Sequence, residues 1–263
     1  MREMWNKANK FSSSWTGTVI IVLTVIFFGV QAFVIPSGSM IGTLLIGDML
    51  FVKKFSYGVP VPRIPWIEVP VLPDFNGNGH IIEGDKPQRG DIVVFRYPHD
   101  EKIHFVKRCV ATGGDIVALQ DKNLFLHPKE GNDFVNANYP KEKIIKVEDR
   151  LFVMNPYREE HRGIHNDSSV IEDGVAPIEL FHMMPIIVPE GEFFMMGDNR
   201  DHSNDSRFWG TVPYKYIVGK PWMIYFSWDE DKVIRWDRVF KTVDTLEESL
   251  GEKYNKIEVK GLH

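Results

Sequence analysis

From Phe11 to Gly47 the chain carries no Asp, Glu, Lys, Arg or His, and near the end of that stretch stands Pro36-Ser37-Gly38-Ser39-Met40. Within it, Trp15 to Ile35 is almost continuously apolar, with Gln31 its one strongly polar side chain. A helix rises about 1.5 Å per residue, and about 20 apolar residues cross the hydrocarbon core of a bilayer. The run therefore predicts a transmembrane helix over residues 15–35. A cleavable secretory leader has a shorter apolar region, about 7–15 residues, ending at small residues. Phe33-Val34-Ile35-Pro36 offers no such exit. Arg2, Lys7 and Lys10 precede the run with only Glu3 to offset them, and cytoplasmic flanks favour Lys and Arg. Lys53 and Lys54 weaken the asymmetry, yet the expected topology keeps residues 1–14 inside and places everything after Pro36 outside the membrane. Trp15 near the inner edge suits the interfacial preference of aromatic rings.

About 225 residues follow, enough for one large domain or two small ones with their own cores. A net charge of −5 with no long basic stretch argues against a nucleic-acid surface. The single Cys109 cannot form an intramolecular disulfide. With no CxxC pair, no HExxH and no Gly-rich phosphate loop, neither a metal nor a cofactor is expected.

Beyond the apolar run the pattern is β in character. Residues 49–55, 91–97, 103–112 and 116–119 are short runs rich in Val, Ile and Phe, separated by Gly, Pro, Asp and Asn. Between the first two lie Pro60, Pro62, Pro65, Pro70, Pro73 and Pro87, a density that excludes a central strand or a helix interior. Residues 57–88 read as an extended loop or edge hairpin. Within it Ile64-Pro65-Trp66-Ile67 either rests on a membrane interface or packs beneath the loop. Residues 122–189 are more polar, with weak strands at 123–126 and 150–154, and read as an inserted subdomain. Strong strand pattern resumes at 192–196 and 222–226. Val239, Val243, Leu246 and Leu250 have loosely helical spacing in the tail from residue 229.

Chemistry concentrates in Ser37-Gly38-Ser39-Met40, Phe105-Val106-Lys107-Arg108 and the stretch from Gly197 to Pro213. A serine hydroxyl needs a base. His104 and His202 lie in or beside these patches, but no Asp-His-Ser arrangement is evident. A lysine is the other option. Its ordinary pKa of about 10.4 leaves roughly one molecule in 2,500 neutral at pH 7, and burial lowers that pKa. Alternation puts Phe105, Lys107 and Cys109 on one face of a strand, where an amine between apolar neighbours is desolvated. The competing reading is a lysine whose stem covers the sheet edge with its head in water.

These patches resemble, in order and character, the boxes of the bacterial type I signal peptidases, membrane-anchored Ser/Lys endopeptidases. The resemblance covers PSGSM with Thr43–Asp48, GDIVVFRYP at Gly90–Pro98, HFVKR at His104–Arg108 with Gly113–Asp115, and GDNRDHSNDSRFWG from Gly197. It implies Ser39 as nucleophile and Lys107 as general base. Ser37 would donate to the oxyanion beside the Ser39 N–H, Ser203 would hold the lysine amine, and Asp205 with Arg207 would form a structural ion pair. Asp198, Asn199 and Arg200 would fix the turn. Met40 either lines the substrate groove or packs; Phe51, Phe95, Ile103 and Phe105 are further candidates for shallow substrate pockets.

The implied fold is mostly β. A transmembrane helix would be followed by a coiled antiparallel catalytic domain (residues 36–121 and 190–228) that carries the 122–189 subdomain and ends in a 229–263 tail. The implied partners are signal-peptide-bearing preproteins and the lipid bilayer of the bacterial inner membrane, with the catalytic domain on the periplasmic side. Substrate would bind as an extended strand beside Ser39. Three departures stand out: Gly42 where many members have proline, Cys109 and Ala111 where a small aliphatic residue and a glycine are usual, and His202 in place of asparagine. Cys109 either confers sensitivity to thiol reagents or is inertly buried. A self-cleaving Ser/Lys protease of the SOS-repressor type is disfavoured by the apolar run and acidic balance. A silent scaffold is disfavoured by the four retained site residues.

Overall fold

The computed structural model describes residues 2–24, 29–64 and 67–250. The strands in chain order are β1 (Val30–Val34), β2 (Asp48–Lys53), β3 (Gly58–Pro60), β4 (His80–Glu83), β5 (Ile92–Tyr97), β6 (Asp100–Thr112) and β7 (Ile116–Gln120). There follow β8 (Asn123–His127), β9 (Ile144–Val147), β10 (Arg150–Met154), β11 (Met183–Ile187), β12 (Glu192–Met196), β13 (Val212–Pro213) and β14 (Ile217–Ser227).

A seven-stranded antiparallel sheet runs β1-β2-β14-β5-β6-β12-β13. It is strongly coiled, because the Phe33 ring on edge strand β1 meets the His104 ring on β6 edge-on, with centroids 5.1 Å apart. Strand β5 shows why both faces are closed. Ile92 and Val94 enter one core with Ile35, Leu50 and Ile224, while Val93 and Phe95 enter another with Cys109, Met195 and Ile217. That alternation is the period-2 pattern of a strand buried on both sides.

The second sheet, β11-β7-β8-β10-β9, begins at Ile116, ahead of the polar stretch. Its core borrows Val110, Ala111, Phe194 and Met196 from β6 and β12, so the lysine-bearing strand serves as a wall for both sheets. Strands β7 and β8 are joined through Asp121 and Lys122, both at positive φ (49° and 63°), as a two-residue hairpin demands.

One expectation is corrected. The apolar run does not continue as one helix to residue 35. It is helical over Trp15–Thr24, and Val30–Val34 instead pairs with Asp48–Lys53. Phe33 and Ile35 pack into the protein core, so the end of the run is buried by protein. Residues 25–28, within the expected span, lie outside the described residues, as do Pro65 and Trp66. Among the described residues no helix is long and apolar enough to cross a membrane. The 57–88 stretch contains the two-stranded ribbon β3-β4 within otherwise irregular chain. Residues 243–250 are helical, and Val243 and Leu246 insert into the first core.

Candidate active site

The chain leaves β1 through Ile35, whose N–H donates to Asp48 O (2.9 Å) and whose carbonyl accepts from Gly47 N (3.0 Å). After the extended, exposed Ser37, Gly38–Met40 forms a single 3-10 turn that buries Ser39 and Met40. The Asp48 carboxylate pins the loop that follows. It accepts from Leu45 N at 2.8 Å, from Ser227 Oγ at 2.7 Å and from Arg238 Nη2 at 2.6 Å.

Gly42, in that loop, has φ +102°, and a Cβ there would meet Gly163 O at 2.4 Å. Proline is locked near φ −65°. The departure from the family's proline thus goes with a backbone that proline cannot adopt.

Lys107 projects from β6 opposite Val93 and its Nζ donates to Ser39 Oγ. Ser39 is 7% and Lys107 3% exposed. Desolvation lowers the Lys107 pKa from 10.5 to about 8, with Arg207 adding to the effect and Asp205 and Asp198 opposing it. Roughly one amine in ten is then neutral at pH 7. A buried serine hydroxyl in contact with an amine that loses its proton this readily has the chemistry needed for a nucleophile and its base.

The 197–207 loop closes over the pair. Gly197 has no room for a side chain: a Cβ would lie 2.4 Å from both Ser39 O and Ser203 Oγ. Asn199 donates its backbone N–H to Ser39 O (3.1 Å) and its side-chain Nδ2 to Gly38 O (3.1 Å). Asp205 and Arg207 form the expected buried pair, with Nε and Nη2 at 2.8 and 2.9 Å from the carboxylate, and Asp205 also accepts from Gly197 N at 3.0 Å. Ser203 differs from expectation. Its buried Oγ makes no aligned hydrogen bond among the described residues, to Lys107 or any other group. It leans toward the Asp205 carboxylate and helps hold that group below the usual carboxylate range, an effect led by Arg207 against the opposing cost of burial.

Several candidate substrate residues are enclosed. Met40 (1% exposed) and Phe95 (0%) belong to the two cores, and Met40 Sδ accepts from Asp198 N. Met40 therefore packs. Phe51 stacks on Tyr225 at 4.5 Å. Ile103 is 44% exposed, and the half-buried Phe105 ring centroid lies 5.3 Å from Lys107 Nζ. These two remain accessible from the Lys107 side of β6.

The histidines are occupied elsewhere. His104, driven by burial and then by Arg96 to a pKa of about 4, lies against Phe33 and 3.9 Å from Glu68. His202 is exposed and pairs with Asp167 at 2.9 Å. Cys109 is fully buried, and burial pushes its thiol pKa up, which makes it unreactive.

The reading of the chain missed the buried network around Arg108. That guanidinium binds Asp198 through Nε (2.8 Å) and Nη2 (2.7 Å), Gly90 O (2.6 Å) and Glu247 (2.6 Å). Thr43 Oγ1 completes the Asp198 shell at 2.6 Å. Burial alone would raise the Asp198 pKa, but Arg108 more than reverses this. The only signal in the chain was an arginine beside Lys107 and an aspartate beside Gly197.

A family model described as signal peptidase, peptidase S26, matches residues 9–228. A signal peptidase I of Helicobacter pylori strain J99 is 49% identical, over 90% of this chain and 93% of its own. One from Pseudomonas fluorescens is 36% identical over 85% of this chain and 74% of its own. A crystal structure of a signal peptidase I from Enterococcus faecalis aligns at 25% identity over 52% of this chain and 97% of its own. Its TM-score of 0.28 is too low to support a statement about the fold.

Proposed function

This chain belongs to the signal peptidase I family of S26 peptidases, which remove signal peptides from preproteins, and on that premise we propose that Ser39 and Lys107 carry the cleavage as a Ser/Lys dyad. The observation behind this is the Lys107 Nζ contact to Ser39 Oγ inside a buried pocket that depresses the lysine pKa.

Neutral Lys107 takes the Ser39 proton as Oγ attacks the scissile carbonyl. The resulting ammonium returns that proton to the departing amine, leaving an acyl-enzyme. Lys107, neutral again, then activates the water that hydrolyses the ester. Negative charge on the carbonyl oxygen is met by the Ser39 N–H and by the exposed Ser37 hydroxyl, once that side chain turns inward. Asp205 and Arg207 brace the 197–207 loop, with Ser203 leaning on the Asp205 carboxylate.

The substrate lies as an extended strand along β6. Among the described residues, strand β12 pairs with β6 from Arg108 to Thr112 and no strand pairs with the β6 edge before Lys107 on that side. On the other side of Ser39, β1 has β2 as its one partner among the described residues. β-Augmentation at such edges aligns a peptide backbone without reading its sequence.

The apolar stretch before β1 attaches the enzyme to the inner membrane with residues 36–121 and 190–228 as an extracytoplasmic catalytic domain and 122–189 as its insertion. Ser39, immediately after β1, then cuts close to the bilayer surface. Preprotein cleavage by wild type, Ser39→Ala, Lys107→Ala, His104→Ala and His202→Ala tests the dyad. Both dyad variants should be inactive and both histidine variants active; survival of Lys107→Ala would sink the assignment.

A further inference from the structure

The peptide joining Gly38 to Ser39 is a rigid plane with the Gly38 C=O and the Ser39 N–H pointing in opposite directions. Whatever holds that carbonyl therefore aims that N–H. Gly38 O accepts from Ile41 N at 3.1 Å, the closure of the local turn, and from Asn199 Nδ2 at 3.1 Å. Among the described residues, Asn199 is the group outside the turn that donates to it. The same residue donates its backbone N–H to Ser39 O, so two successive carbonyls of the nucleophile turn are gripped by one residue of the 197–207 loop.

The side-chain orientation is unambiguous. Gly38 O can only accept, so the amide must present its nitrogen there. This leaves Asn199 Oδ1 buried with no hydrogen-bond partner among the described residues. Burying an unpaired acceptor is unfavourable, so its retention here calls for an explanation. Packing alone would be served better by an apolar residue at this 6% exposed position.

We propose that Asn199 is a positioning residue for the oxyanion site: by anchoring Gly38 O it turns the Ser39 N–H toward the carbonyl oxygen of the substrate. Its hydrogen bonds go to the backbone carbonyls of Gly38 and Ser39, so it acts through the turn. The proposal rests on the dyad reading, in which Ser39 attacks and its own N–H meets the developing charge.

The test is steady-state cleavage of a preprotein by Asn199→Ala and Asn199→Asp, with Lys107→Ala as control and far-UV circular dichroism to check folding. Asn199→Asp keeps the shape but sets a carboxylate oxygen against Gly38 O. Loss of a preset oxyanion donor costs about 10²- to 10³-fold in kcat. We expect losses of that order in both variants, with KM within a few-fold of wild type and the acid limb of the pH–rate profile unmoved. A folded variant with kcat near wild type, a loss confined to KM, or a displaced pH profile would overturn it. If one variant does not fold, the other decides. An active Lys107→Ala would instead indict the dyad, leaving the two failures distinguishable.

Discussion

Glu247, in the helical segment 243–250, reaches back to Arg108 at 2.6 Å, and Arg108 follows Lys107 in the strand. The same Glu247 oxygen lies 3.0 Å from His161 Nδ1. Arg108 also holds Asp198, which begins the loop that grips the Ser39 turn. The C-terminal helix is thereby tied to the site through one fully buried guanidinium.

Glu247→Ala should loosen that helix. Loss of a charged hydrogen-bond partner for a buried group costs about 1–3 kcal/mol. Asp198→Ala should be worse, about 3–5 kcal/mol, because it strips Arg108 of its bidentate partner inside the protein. Urea melts of both variants check the order, and equal effects would refute it.

Activity should follow the charge on Lys107. In the proposed dyad the neutral amine is the active form, and with a pKa of about 8 kcat/KM should climb tenfold per pH unit well below that value and level off above it. A limb near 4 would point to His104, whose pKa lies there.

Stability should carry the same signature with a definite sign. The folded-state pKa of Lys107 lies below its unfolded value, so the unfolded chain binds more protons between about pH 8 and 10.5. This residue's contribution to unfolding free energy therefore rises across that window by a few kcal/mol. Lys107→Met, which removes the titrating amine, should be more stable than wild type at pH 7 and lack that rise. Guanidinium titrations at pH 7, 9 and 10.5 measure it.

Gly42→Pro should fail structurally despite restoring the residue common in the family, since φ +102° is closed to proline. Gly197→Ala should fail catalytically, because its methyl would press on Ser39 O and Ser203 Oγ. The melting temperature should fall most for Gly42→Pro, and Gly197→Ala should lose activity while still folded. A fully active Gly197→Ala would show that the 197–207 loop yields easily.

Much of this was legible along the chain. The alternation around Lys107 put Phe105, Lys107 and Cys109 on one face, and the structure packs Phe105 and Cys109 in one core beside the buried amine. The β runs at 91–97 and 103–112 appear as β5 and β6 with small changes at their ends. The Asp205–Arg207 pair was expected from the resemblance to the family, and the structure forms it. Arg108–Asp198 was not, since 90 residues separate them.

The sequence by itself determined which residue types stand at the site, that runs such as 91–97 and 103–112 become strands, and that the chain is mostly β, because motif order and side-chain periodicity are local properties. Tertiary structure decided that Val30–Val34 is an edge strand, since an apolar run is equally satisfied by lipid or by a protein core. It also decided that Met40 and Phe95 are enclosed and that Ser203 has no bond to Lys107. Above all it set the Lys107 pKa. The lysine is the same in any chain; its proton is weakly held here because distant strands and the 197–207 loop shut it away from water.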